Sequence, residues 1–141
     1  MTTMIALLRA LTPEAQEAIG GAELAISRFP FRVGRESRGE LKKPTELQSR
    51  RKPDSVPNND LYLVETDPEL NVSREHFQID FQDGDYAVSD RGSYCGTLVE
   101  GEVIGGRRTG ASRRLMDNDV IIVGTSRSRY VFKFILRPGQ D

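Results

Sequence analysis

Apolar and polar positions alternate with a period of two through much of this chain, as in strands half-buried against a core. Residues 29–35 read Phe-Pro-Phe-Arg-Val-Gly-Arg, with Phe29, Phe31 and Val33 on one face and Pro30 and Arg32 on the other. From His76 to Phe81 the apolar Phe77, Ile79 and Phe81 point inward, while His76, Gln78 and Asp80 point the other way. Asp83-Gly84 is a turn dipeptide, and Tyr86 and Val88 resume the inward face, so this stretch predicts a β-hairpin. Val120–Val123 is a short apolar run suited to a buried strand, and Tyr130, Phe132, Phe134 and Leu136 alternate in a last strand. Met4–Leu11 reads as a first strand, although its Ala and Leu residues also suit a helix. A short helix can start at Thr12-Pro13-Glu14, and Gly20-Gly21 stops it within two turns. Many short strands with turns between them predict an all-β fold, a sandwich or a barrel.

One segment breaks the pattern. Residues 36–60 carry six basic residues (Arg38, Lys42, Lys43, Arg50, Arg51, Lys52), five acidic ones, three prolines and only Leu41, Leu47 and Val56 as large aliphatics. They read as a long polar loop insertion, with at most a helical turn.

Length and charge narrow the possibilities. The 141 residues make one domain, 1–141, with its core at about 5–136. The balance of 20 Lys+Arg against 21 Asp+Glu leaves a net charge of -1, a poor basis for nucleic-acid binding, which needs a broad basic face. The single Cys95 and single His76 exclude an internal disulfide and fall short of a zinc ligand set, so neither a metal nor a cofactor is expected. The longest early apolar run, Met4–Leu8, is too short for a membrane span or a signal-peptide core, which points to a cytoplasmic protein.

Three clusters at strand borders carry the candidate chemistry. Gly34-Arg35 ends the Phe-Pro-Phe strand, Ser73-Arg74-Glu75-His76 enters the next strong one, and Ser93-Tyr94-Cys95-Gly96-Thr97 follows Asp90-Arg91-Gly92. If loops at one end of a sandwich meet, Arg35, Arg74 and the Ser73 hydroxyl make an anion site, since a guanidinium offers a planar fork of donors to phosphate oxygens. Arg107-Arg108 and Arg113-Arg114 form a second basic cluster, either solvated or an accessory anion contact. Cys95 and His76 could form a nucleophile and base, but no third orienting group is evident, and an enzyme is not expected.

In this order and spacing, the Gly-Arg, Ser-x-x-His and Ser-x-x-Gly-Thr blocks resemble the forkhead-associated (FHA) domain, over about Ile5 to Leu136. FHA domains are an established example of phospho-motif reading by arginine clusters, so that expectation comes with the family. The resemblance implies a sandwich of two twisted antiparallel sheets with about eleven strands. It implies that Arg35 and Ser73 contact phosphate and that Arg74 adds a phosphate or peptide contact. Tyr94, Cys95, Gly96 and Thr97 would complete the binding loop, with Gly34 and His76 as its structural support. Two positions depart from the family's Ser-Thr-Asn-Gly-Thr: Tyr94 replaces the threonine that helps hold phosphothreonine, and Cys95 replaces the asparagine that holds the peptide backbone. Two functions follow. One is a phosphothreonine-dependent adaptor that binds a phosphorylated partner in signalling, a Ser/Thr kinase or its substrate. The other is a phosphate-independent assembly subunit on the same fold, which the departures favour.

Overall fold

The computed structural model describes residues 4–36, 59–65 and 71–139. Among these, eleven strands form two sheets packed around one core. The strands are β1 (Met4–Ala10), β2 (Glu23–Ile26), β3 (Phe31–Arg35), β4 (Leu61–Leu63), β5 (Phe77–Gln82), β6 (Asp85–Asp90), β7 (Thr97–Val99), β8 (Glu102–Ile104), β9 (Ala111–Leu115), β10 (Val120–Val123) and β11 (Val131–Pro138), with one helix, α1 (Pro13–Ile19). One sheet has the order β2-β1-β11-β10-β7-β8, the other β4-β3-β5-β6-β9. Most of the polar 36–60 segment, residues 37–58, lies outside the described residues.

The period-two pattern is realised directly. Val33, Phe77, Ile79, Val88, Phe132 and Phe134 are fully buried between the sheets, each contributing about 1.5–3 kcal/mol through removal from water. Met4–Ala10 is a strand: its full-length pairing with β11 outweighs the helix propensity of Ala and Leu. The helix starts where expected, with the Thr12 hydroxyl accepting from the Ala15 N–H, and ends at Gly20 with φ +75°. Asp83 and Gly84 both have positive φ, +54° and +84°, the two-residue turn that suits a right-twisted hairpin.

Four expectations need correction. The sheets are not wholly antiparallel: β4 runs parallel to β3, pairing Val33 with Leu61 and Arg35 with Leu63. A parallel pair requires a long connection, and 25 residues separate the end of β3 from the start of β4. Phe81 is 46% exposed. It sits one pair from the hairpin turn, where it stacks on Tyr86 at 4.6 Å and is not covered by the facing sheet. His76 is fully buried instead of facing outward, because it precedes β5 and turns into the loop layer. In β10 only Ile121 and Val123 are buried, because the far side of that sheet carries no second layer of strands.

The register places one set of loops together. Strands β3 and β6 end, and β5, β7 and β9 begin, at the same edge of the sandwich, so Gly34-Arg35, Ser73–His76, 91–96 and 105–110 converge there.

Candidate functional site

The site is built from backbone outward. At the end of β3, the Arg35 N–H donates to the Ser73 carbonyl at 2.9 Å, and the His76 N–H donates to the Val33 carbonyl at 3.0 Å. The Ser73–His76 turn is thereby laced to β3. Gly34 is required for this contact: a Cβ there would lie 1.9 Å from the Arg74 carbonyl oxygen. Asn59, itself buried, donates from Nδ2 to that same carbonyl at 2.7 Å and accepts from Arg91 Nη1. Arg91 in turn pairs with Glu75 at 3.1 Å.

His76 joins two loops. Its Nδ1 accepts from the Ser73 N–H at 3.0 Å, and its Nε2 lies 2.7 Å from the Gly96 carbonyl. A carbonyl only accepts, so the proton is on Nε2 and the ring is the neutral tautomer. Burial pushes the imidazole below its ordinary pKa, against weaker opposing effects of the Gly96 carbonyl and the Asp90 charge. Both ring nitrogens are therefore committed to backbone groups. Burial, with the negative charge of Glu65, pushes the Cys95 thiol up. His76 and Cys95 thus do not form an activated nucleophile and base.

The 91–96 loop hangs on one buried carboxylate. Asp90 Oδ1 accepts from the N–H groups of Gly92 (3.0 Å) and Ser93 (2.8 Å), and Oδ2 from the hydroxyls of Ser93 (2.6 Å) and Thr97 (2.8 Å). The Ser93 hydroxyl accepts from the Gly96 N–H at 2.9 Å. Thr97 and Gly96, grouped with the peptide-contacting residues on sequence grounds, are both buried and hold the loop from inside. Tyr94, at 67% exposure, stands at the rim, and Cys95 is half-buried beside it.

Ser73 is where the loops meet. Its hydroxyl oxygen accepts from the Tyr94 N–H at 3.0 Å, and its proton has no acceptor among the described residues. Arg74, the next residue, is exposed, and its side chain meets no carboxylate among the described residues. The structure thus brings Arg35, Ser73, Tyr94 and His76 into one bonded cluster with Arg74 at its edge. The second basic cluster is divided: Arg113 pairs with Glu102 and Arg114 with Asp85 along β9, while Arg107 and Arg108 lie in the loop against Tyr94.

Sequence reasoning missed Asn59 and the bonding role of Asp90. Asp90 carried a signal, a carboxylate two residues before a turn glycine, where Asp commonly caps backbone N–H groups. Asn59 carried none, since its partners Arg74 and Arg91 are distant in sequence. A cleft of about 420 Å³ opens beside the end of β4, but Glu14, Glu17, Glu36 and Glu65 line it against Arg129 alone, so it is a poor place for an anion. Among the described residues, no helix is long and apolar enough to cross a membrane.

Comparison with known proteins agrees with this geometry. The FHA-domain family model matches residues 31–124. The chain belongs to the FHA domain family, whose members are protein-interaction modules known for phosphopeptide recognition. The kinase-interacting FHA domain of the Arabidopsis kinase-associated protein phosphatase is similar over 99% of this chain and 98% of that one, at 21% identity and TM-score 0.61. Mycobacterium tuberculosis EmbR, solved with a low-affinity phosphopeptide, is similar over 97% of this chain at 22% identity and TM-score 0.57. This chain spans only 26% of the EmbR chain. The yeast Pml1 splicing factor, solved with regard to its integration into the RES complex, is similar over 96% of this chain and 82% of that one, at 20% identity and TM-score 0.60. At these identities the likenesses speak for the fold. No curated protein gave a significant sequence match.

Proposed function

We propose that this domain is an adaptor that binds a phosphothreonine-containing segment of a Ser/Thr-phosphorylated partner, a kinase or a kinase substrate, in cytoplasmic signalling, and that it catalyses no reaction. Arg35 and Ser73 hold the phosphate, and Arg74 adds a second guanidinium. Tyr94 and Cys95 form the rim against which the peptide backbone lies. Gly34, His76, Gly96 and Thr97 keep the loops in place from beneath. The observation that carries this reading is the state of Ser73. Its oxygen accepts from the Tyr94 N–H, which leaves its hydroxyl proton to donate to a ligand, next to the exposed Arg74 and in the turn that the Arg35 N–H ties to β3. A short neutral donor beside guanidinium forks is the donor set that a phosphate dianion needs.

A second reading, phosphate-independent assembly through the same fold, is favoured by Tyr94 and Cys95. Neither supplies the threonine hydroxyl or the amide with which the family holds its ligand, and a thiol is a weak donor. One titration separates the two readings. A degenerate threonine peptide pool, phosphorylated and unphosphorylated, is titrated into the wild type and into Arg35→Ala. Selective binding of the phosphorylated pool, lost in Arg35→Ala, supports the adaptor. Equal binding of both pools, or an unaffected variant, assigns the domain to assembly.

A further inference from the structure

The loop between β8 and β9 carries two features that the phosphate clamp does not explain. The first is its backbone. Gly105, Gly106, Arg107 and Arg108 form four consecutive residues at positive φ, +72°, +105°, +54° and +66°. The glycines suit their places: a Cβ at Gly105 would lie 2.4 Å from the Asp90 carboxyl carbon. Arginine in left-handed conformation is strained by its own Cβ against the following carbonyl, and glycine is the residue this backbone favours. Side chains kept at a strained position point to a use for them.

The second feature is charge. Arg9, Arg32, Arg91, Arg113, Arg114 and Arg129 all reach carboxylates. Arg107 and Arg108 are exposed and reach none among the described residues. Their position is set by the clamp itself. The Arg107 N–H donates to the Tyr94 carbonyl at 2.7 Å and the Arg108 N–H to the Ser93 carbonyl at 2.9 Å. The Tyr94 N–H is held by Ser73. A single peptide unit on either side of Tyr94 therefore links the phosphate-binding serine to the arginine pair.

We infer that Arg107 and Arg108 are an accessory anion-reading edge that selects partners with acidic residues flanking the phosphothreonine. The inference rests on the adaptor reading and adds the chemical class of its ligand. The clamp takes the phosphate, and the two guanidiniums beyond Tyr94 take carboxylates of Asp or Glu further along the peptide. Exposed ion pairs are individually weak, so the effect is a preference and not a requirement.

The test uses the full chain and three synthetic phosphothreonine peptides: one with alanine flanks, one with glutamates on the N-terminal side, and one with glutamates on the C-terminal side. Wild type is expected to bind one acidic peptide roughly three- to tenfold more tightly than the alanine peptide, a gain that shrinks at high salt. In the double variant Arg107→Gly/Arg108→Gly, that preference disappears while the alanine peptide binds as before. Glycine accepts the backbone angles, so thermal stability is expected to stay level or rise. An equal loss for all three peptides would make the loop only a scaffold for Tyr94, and a preference that survives the double variant would place it elsewhere; either overturns the inference. If wild type binds the alanine peptide with no flank effect, this inference fails and the adaptor reading stands. If it binds no phosphothreonine peptide, both fall.

Discussion

The carbonyl oxygen of Arg74 occupies the space beside Gly34 where any other residue would carry its Cβ, with only 1.9 Å between them. The Ser73–His76 turn is seated on β3 by backbone-to-backbone contact, so the bare Cα of Gly34 sets the depth at which Ser73 and Arg74 sit. Gly34→Ala must displace backbone atoms and Asn59, not a pliable side chain. It is expected to cost about 1–3 kcal/mol by overpacking and to weaken phosphopeptide binding with it. Urea denaturation and peptide titration on the same variant check this. A variant of full stability and affinity would show that the turn is not held at Gly34.

Arg35→Ala removes a guanidinium from the proposed clamp. Hydrogen bonds to charged groups contribute about 1.5–3 kcal/mol each, so phosphopeptide affinity is expected to fall on the order of tenfold to a hundredfold. Calorimetric titration at low and high salt reads it. The loss should be smaller in high salt, where an exposed site is screened.

Asp90 accepts four hydrogen bonds from within its own turn and from Thr97. Asp90→Ala strands four donors, three of them buried, and the expected loss is roughly 3–5 kcal/mol. Such a loss is a large part of a small domain's stability, so thermal melting should show a much lower midpoint or no folded state. A small shift would mean that water replaces the carboxylate.

His76 predicts a pH dependence. Its folded-state pKa is lowered by burial, so the unfolded chain binds a proton at a higher pH than the folded one. The stability from the neutral ring is fully present above the unfolded value, about 6.5, and is lost as pH falls from there toward the folded value. As the only histidine of the chain, it should dominate the slope of stability between about pH 7.5 and 5.5, above the range where carboxylates titrate. His76→Gln is expected to be less stable by about 1–3 kcal/mol through its lost backbone bonds, and nearly flat over the same range. Denaturation curves at several pH values decide it. An unchanged slope in the variant would remove His76 from the account.

Tyr94 and Cys95 stand where the family carries threonine and asparagine. Cys95→Asn should improve phosphopeptide affinity by about one hydrogen bond, roughly 0.5–1.5 kcal/mol. Tyr94→Thr should sharpen the preference for phosphothreonine over phosphoserine by opening the slot beside its methyl group. Titrations with matched peptides test both. A neutral Cys95→Asn in a domain that already binds tightly would mean that other groups hold the peptide.

The all-β class, the hairpin around Asp83-Gly84 and most core positions were legible along the chain, because strand periodicity and turn chemistry are local properties. The spacing of three short blocks also singled out Arg35, Ser73 and His76, which the fold brings to one edge of the sandwich. What could not be read locally came from contacts between distant segments. His76 follows the outward-facing parity of Gln78 and Asp80, yet it is buried, because its partners are the backbones of Ser73 and Gly96. Thr97 looked like part of a binding surface until Asp90 drew its hydroxyl inward. The Arg107–Arg114 run appeared as one basic cluster, but β9 delivers Arg113 and Arg114 to carboxylates while the preceding loop leaves Arg107 and Arg108 beside Tyr94. Sequence alone determined where the strongly alternating strands would lie and which short blocks would border them, since side-chain alternation and turn preference act over a few residues. Only the tertiary structure decided which polar groups stay exposed and which satisfy one another, because in a sandwich each buried donor or acceptor must find its partner on another strand or loop.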